Sequence, residues 1–199
     1  IVDATFVDAP RQRNSRDENK KIKNGVIPEE WEKPENKSKL AQKDIDADWT
    51  KKNGERHFGY KDHVKCDADS KLITNYSVTS ASVHDSQRCL VFIGQEDEVL
   101  YADSAYSGKP IALALPENCK NQICEKGYRN SPLTSEQKMN NRRKSRIRCR
   151  IEQIFGFMTG DMHGITIRSI GITRAWMNIG ITNLVYNFCR YSYLKRASA

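Results

Sequence analysis

The sequence predicts an α/β protein, and three observations carry that prediction. Runs of strand length, rich in β-branched and aromatic residues, occur at 1–7, 56–66, 72–80 and 98–103. After the third of them, strand-like runs alternate with helical patterns, giving the order β-β-β-α-β-α-β-α. The strongest helical pattern is NNRRKSRIRCRIEQIFGFMTG at 140–160. There Ile147, Ile151, Ile154, Phe155 and Met158 share one stripe of a 3.6-residue helix and point at a core. With 199 residues, 38% of them hydrophobic, the chain has material for one substantial core, so one domain is expected.

The elements follow in order. Ile1 to Val7 reads as a strand with Asp3 in its middle, where a carboxylate must be hydrogen-bonded, paired or metal-bound because burying it alone is costly. Because the chain opens inside this strand, an N-terminal part of the natural protein is expected to precede it. Residues 11–43 mix Lys, Asp, Glu and Asn with prolines and cannot bury much. They are read as a long exposed insertion with a short helical turn near Glu29-Glu30-Trp31. Contact with a bound partner and simple disorder account for its length equally well.

A hairpin is expected next, with Trp49-Thr50 and Arg56–Cys66 as strands and Lys52-Asn53-Gly54 as the turn; Leu72–Ser80 supplies the following strand. Asp85 is placed to cap the segment running to Ile93. Glu98–Asp103 is a second short apolar run ending on an acid, at the strand end where open α/β sheets place their chemistry. Lys109–Leu115 opens another helix and Asn121–Glu125 one more strand. Ser135 begins the long helix, with Lys138 where a capping box would want Glu or Gln. Gly164–Arg168 is a strand or a loop. Ala175–Tyr193 is a final helix whose apolar belt, Trp176, Ile179, Leu184, Tyr186 and Phe188, is assigned to packing.

The net charge of +8 and a sequence pI near 9.2 favour a polyanionic partner such as nucleic acid, although a membrane-surface or ribosomal protein would share them. The charge is concentrated. Arg142, Arg143, Lys144, Arg146, Arg148 and Arg150 crowd together without an acid, and Glu152 is the one acid of 140–160. Taken alone, this is a solvated basic helix with Glu152 paired to Arg148 one turn away; as a cluster it also offers charge for DNA phosphates. The uncharged stretch Ala175–Cys189 is too short and too rich in Asn and Gly to cross a bilayer. No signal pattern opens the chain, so a reducing cytoplasm is expected and no membrane partner. Cysteines 66, 89, 119, 124, 149 and 189 form no C-x2-C pair and lack a histidine at zinc-finger spacing, which leaves them as buried or idle thiols. His57, His63 and His84 share no spacing that presets a metal site. There is no internal repeat and no phosphate-binding glycine loop.

Asp3, Asp103 and Glu152 would lie on two adjacent strands and a facing helix. Three carboxylates so placed can gather two divalent cations about 4 Å apart, the arrangement that cuts phosphodiester bonds by in-line displacement. Hard oxygen ligands suit Mg2+, whereas thiols and imidazoles would select zinc or copper.

Five blocks, IVDAT with Asp3, WTKKNGERHFGYKDHVKCD at 49–67, VTSASVHDS at 78–86, LYADSAYSG at 100–108 and RIRCRIEQIFG at 146–156, extend over nearly the whole chain. Together and in this order they resemble the catalytic domain of DDE transposases from bacterial insertion sequences, with the insertion-sequence-5 group of the insertion-sequence-4-like transposase domain as the nearest match. The resemblance implies a ribonuclease H-like fold, an α/β mixed sheet flanked by helices. It implies Asp3, Asp103 and Glu152 as catalytic metal ligands, Mg2+ as cofactor with Mn2+ as substitute, and cleavage and strand transfer at element ends. It further implies double-stranded DNA of element ends and target as partner, a homodimer on DNA at the nucleoid, and an N-terminal helical DNA-binding region ahead of Ile1. Some relatives carry Tyr three residues before the motif Arg and Lys seven after the Glu; here those positions hold Ser145 and Thr159, so those two roles do not transfer. A nuclease of the same fold that cuts without joining, and a domesticated DNA-binding protein that has dispensed with catalysis, are the competing readings; the presence of all three acids speaks against the second.

Overall fold

Strand alternation decides which side chains meet which helix. A computed structural model of the chain describes residues 1–52 and 54–198. β1 (Val2–Asp8), β2 (Asp48–Lys52), β3 (Glu55–Cys66) and β4 (Ile73–Ser80) form an antiparallel sheet around β3. Residues 59–65 of β3 pair with β1, 55–59 with β2 and 60–66 with β4. The expected hairpin is present in its strands; Asn53 of its turn lies outside the described residues.

β5 (Val99–Leu100) and β6 (Lys120–Asn121) pair in parallel. The Val2 N–H donates to the Tyr101 carbonyl at 3.0 Å, which sets the run leading to Asp103 beside the start of β1. The strand expected at Asn121–Glu125 is shorter and starts earlier. Its continuation still donates from Gln122 and Cys124 N–H to the Leu100 and Ala102 carbonyls, but too irregularly to count as strand.

Helices cover both faces of the sheet. Val7, Tyr60 and Val64 pack under α6 (Ser135–Thr159) and α7 (Ile172–Ala197). Val2 points the other way, into a cluster with α4 (Ser86–Phe92) and α5 (Lys109–Ala114). Along α6 the predicted stripe holds: Ile151, Ile154 and Met158 are buried, with Ile147 and Phe155 packed at the margin. Burying each such side chain stabilises the fold by roughly 1.5–3 kcal/mol. The helix begins one residue earlier in phase than expected. Thr134 is its N-cap, and Gln137 completes a capping box that the Ser135 register lacked.

α7 is the larger departure. Ala175, Ile179, Asn183 and Tyr186 face inward, whereas Trp176, Leu184 and Phe188 of the expected belt are exposed. Apolar residues surround this helix, so periodicity could not choose its inner face; close approach did. Gly180 lies against Tyr76 of β4, and a Cβ there would strike the Tyr76 hydroxyl. The chain enters α7 through Gly171 at φ +93°, a conformation that glycine adopts without strain, and Asp46 accepts the Ile172 N–H at 2.9 Å.

Residues 11–43 are mostly exposed, as expected, yet they are folded. α1 (Arg16–Lys23), α2 (Glu29–Glu32) and α3 (Lys37–Ala41) surround a fully buried Trp31. The Trp31 indole donates to Glu18 at 2.7 Å, and Glu18 also closes a capping box with Ser15. The Ser15 N–H, with help from Trp31 and Lys39, holds the Glu18 carboxyl down to about 2. One aromatic side chain and one cap thus organise a segment whose composition reads as disorder. Near 164–168 a single parallel bridge joins Thr166 to Asp8.

Candidate active site

Arg148 joins two of the three predicted acids. Its Nη2 donates to Glu152 Oε1 at 2.6 Å, the one-turn pair expected on α6. Its Nη1 donates to Asp3 Oδ2 at 3.0 Å across the α6–β1 contact. Asp3 projects from β1 toward α6 because it sits in register with Val64, whose side chain packs against Ile151 and Ile154. Its other oxygen accepts the Ala4 N–H at 2.9 Å.

Asp3 is short of positive charge. Burial pushes its carboxyl above the usual range and Asp103 adds to the push, while the Ala4 N–H, Arg148 and Lys52 compensate only in part. Arg148 shows the converse balance. Burial opposes its charge, but the bond to Glu152 and the charges of Asp3, Glu152 and Asp103 raise its pKa further.

Asp103 stands exposed at the end of the β5 run, where Oδ1 accepts the Ser104 N–H at 2.6 Å and caps the turn 104–106. Its charge is felt at both Asp3 and Arg148, so it belongs to the same electrostatic neighbourhood without a hydrogen bond to either. Among the described residues, no three His, Cys, Asp or Glu side chains stand close enough to share a metal ion. The donor set itself is all carboxylate, and the raised Asp3 marks a place where a hard divalent cation would be electrostatically welcome.

Two features here escaped the sequence. Tyr106 lies one 3-10 turn past Asp103 and is buried, and its hydroxyl has no hydrogen-bond partner among the described residues. Burial and then the charge of Asp3 push that phenol up. Its one signal in the sequence is the i, i+3 spacing from Asp103. Asp85 does not cap α4. It accepts from Lys61 Nζ at 2.8 Å, because a lysine nearly buried on β3 needs a counterion more than a short helix needs a cap.

The basic cluster divides in two. Lys144 donates to the Ile123 carbonyl at 2.9 Å, Arg148 holds the acids, and Arg150 pairs with Asp69 at 3.1 Å. Arg142, Arg143 and Arg146 are exposed and make no ion pair with a described residue. Thr159, in the position where some relatives have Lys, turns its hydroxyl back onto the Phe155 carbonyl. His63 is buried 2.8 Å from the Thr79 hydroxyl and pushed down to about 4 by burial. The six cysteines are free thiols, three of them buried.

A strand acid and a helix acid are thus tied by one arginine, with the strand-end acid in the same electrostatic neighbourhood. The chain belongs to the family described as Transposase DDE domain, whose model matches residues 1–188. Over 163 residues it is 31% identical to the transposase for insertion sequence element IS1106 of Neisseria meningitidis serogroup B, an alignment covering 78% of this chain and 52% of that relative. The chain therefore spans about half the length of the curated relative it matches. No solved structure matches it. No helix among the described residues is long and apolar enough to cross a membrane.

Proposed function

We propose that the chain is the catalytic domain of a DNA transposase, cutting and joining phosphodiester bonds at insertion-sequence ends in the bacterial cytoplasm. The observation that carries this reading is the Asp3–Arg148–Glu152 linkage, with Asp103 felt by both Asp3 and Arg148. Asp3, Asp103 and Glu152 are the residues to hold Mg2+, or Mn2+ in its place, from a donor set that suits a hard cation. Bound there, the metal supplies Lewis-acid stabilisation of the attacking and leaving oxygens in an in-line displacement. Arg148 holds the Glu152 and Asp3 carboxylates through its two terminal nitrogens. Arg142, Arg143 and Arg146 take DNA phosphates along the outer side of α6. The sheet order, with β3 beside β1 and the β5 run on the other side of β1, supports a ribonuclease H-like core. Two copies act together on double-stranded DNA.

The test is incubation of the protein with element-end duplex and Mg2+ or Mn2+, reading nicked and joined products. Asp103→Asn keeps the side-chain size and loses the charge; it is expected to abolish both products while duplex binding persists. Equal activity in variant and parent would remove the carboxylate mechanism. Nicked product without joined product would assign a nuclease instead.

A further inference from the structure

We propose that the outer face of α7 is a self-association surface, on which two copies of this chain pair their α7 helices antiparallel. Met177, Ile181, Leu184, Phe188 and Tyr191 all lie on the side of α7 opposite Ile179 and Tyr186, and each is between 52% and 63% exposed. Their spacing is 4-3-4-3, the spacing of a seam between two supercoiled helices and not that of scattered surface residues. Contiguous apolar surface of this extent on a soluble domain marks a contact site.

The chemistry of the face selects the occupant. From Ala175 to Cys189 the helix carries no charged residue, so the centre of the seam offers nothing to nucleic acid or to an acidic or basic partner segment. An equally uncharged apolar face fits it, and a second α7 is one. Volumes then select the direction. With Leu184 on the two-fold axis, an antiparallel pair sets Met177 against Tyr191 and Ile181 against Phe188 of the second copy, an aliphatic side chain facing an aromatic one in each layer. Arg174 and Lys195 of the two copies then meet at each end of the seam, outside its apolar centre. A parallel pair would instead set each side chain against its own copy, Phe188 on Phe188 and Met177 on Met177, so that bulky layers and thin ones could not compensate. Two copies joined along the five residues bury on the order of 1,000 Å2 in total, the size at which specific interfaces begin.

The pairing gives the proposed assembly of two copies on DNA a location, and rests on that reading only there, since the face is argued without reference to Asp3, Asp103 or Glu152. The experiment is sedimentation equilibrium of the protein without DNA at micromolar concentration. The parent is expected to show a concentration-dependent dimer. Ile181→Asp with Phe188→Asp is expected to weaken it at least about 100-fold, with an unchanged circular dichroism spectrum because neither side chain serves the core. Independently, in a Cys189→Ser background, an oxidised mixture of Met177→Cys and Tyr191→Cys chains should give the 177–191 crosslink in preference to 177–177. A monomeric parent, a dimer indifferent to the two aspartates, or crosslinking confined to like positions would each overturn the proposal. A dimer of this kind whose DNA stays uncut would instead remove the transposase reading and leave the seam standing.

Discussion

α6 and α7 are nearly equal in length, 25 and 26 residues, and each is the other turned inside out. α6 directs Ile151, Ile154 and Met158 at the sheet and carries Arg142, Arg143 and Arg146 outside. α7 directs Asn183 inward beside Ala175, Ile179 and Tyr186, where neither atom of its amide finds a partner among the described residues, and carries eight large apolar side chains outside. Burial alone favours the first arrangement and disfavours the second. Once the core is satisfied, the residues left on the outside report what a helix is made to meet. On that ground α6 presents charge and α7 presents apolar surface.

The sharpest test of the contrast compares one aliphatic truncation on each helix. Ile154→Ala removes a fully buried side chain beneath α6 and is expected to destabilise the domain by about 2–5 kcal/mol in denaturant unfolding. Leu184→Ala, on the exposed face, is expected to stay within about 0.5 kcal/mol at protein concentrations low enough to keep the chain monomeric. Similar losses at both positions would mean that the outer side of α7 serves the fold of the single chain, and the comparison would collapse.

The inner side of α7 offers a smaller effect with a distinctive pH signature. Asp62 on β3 is buried near Asn183, with neither carboxylate oxygen hydrogen-bonded among the described residues, and burial pushes it up to about 8 against a weak pull from Asn183. A carboxyl raised in the folded state is neutral in both states at low pH. As pH climbs from about 4 toward 8, the unfolded chain ionises while the folded one holds its proton, so stability is lost across that window. Asp62→Asn is expected to abolish this loss, gaining at least about 1 kcal/mol over the parent at pH 7 and little or nothing at pH 4. Glu18 works in the opposite sense and lower down. Its depressed carboxyl contributes stability above its ordinary value of 4.5 that is lost as pH falls toward about 2, so the variant-minus-parent difference isolates Asp62. A difference that does not change with pH would show that Asp62 is ionised in the folded protein.

How much of this could be read beforehand follows from the same physics. The stripe from Ile147 to Met158 was legible because α6 is polar elsewhere, so period alone fixes its inner face. α7 was not, since apolar residues surround it and the choice fell to Ala175 and to Gly180 under Tyr76, a tertiary fact. Glu152 with Arg148 was visible as a one-turn pair, whereas the reach of Arg148 to Asp3 depends on β1 lying under α6. The role of Asp85 was misread for a similar reason: its partner Lys61 sits 24 residues earlier on another element. The folding of 11–43 was hidden because Trp31 is the one aromatic residue in a mostly polar segment, and only its contacts with Glu18 and the surrounding helices reveal its weight.

The smallest expected effect concerns the outside of α6 alone. Six basic residues occupy 142–150, but Lys144, Arg148 and Arg150 already spend their charge on the protein, which leaves Arg142, Arg143 and Arg146 for a polyanion. Phosphate contacts position DNA without reading its sequence, and each one released shows as a fixed increment in the salt dependence of binding. Arg143→Gln with Arg146→Gln is therefore expected to weaken binding to element-end and scrambled duplexes alike and to make the slope of log K against log salt shallower by about two. Unfolding stability should move by no more than about 0.5 kcal/mol, because neither side chain has a partner within the fold among the described residues. Lys144→Gln supplies the contrast: its amine answers the Ile123 carbonyl and lies 3.8 Å from Glu125, so its loss should lower stability and leave the salt slope nearly as it was. Titrations across several salt concentrations decide between the two sets. If the double variant binds as the parent does, these arginines only solvate α6, and the outer faces of the two long helices would differ in composition without differing in what they meet.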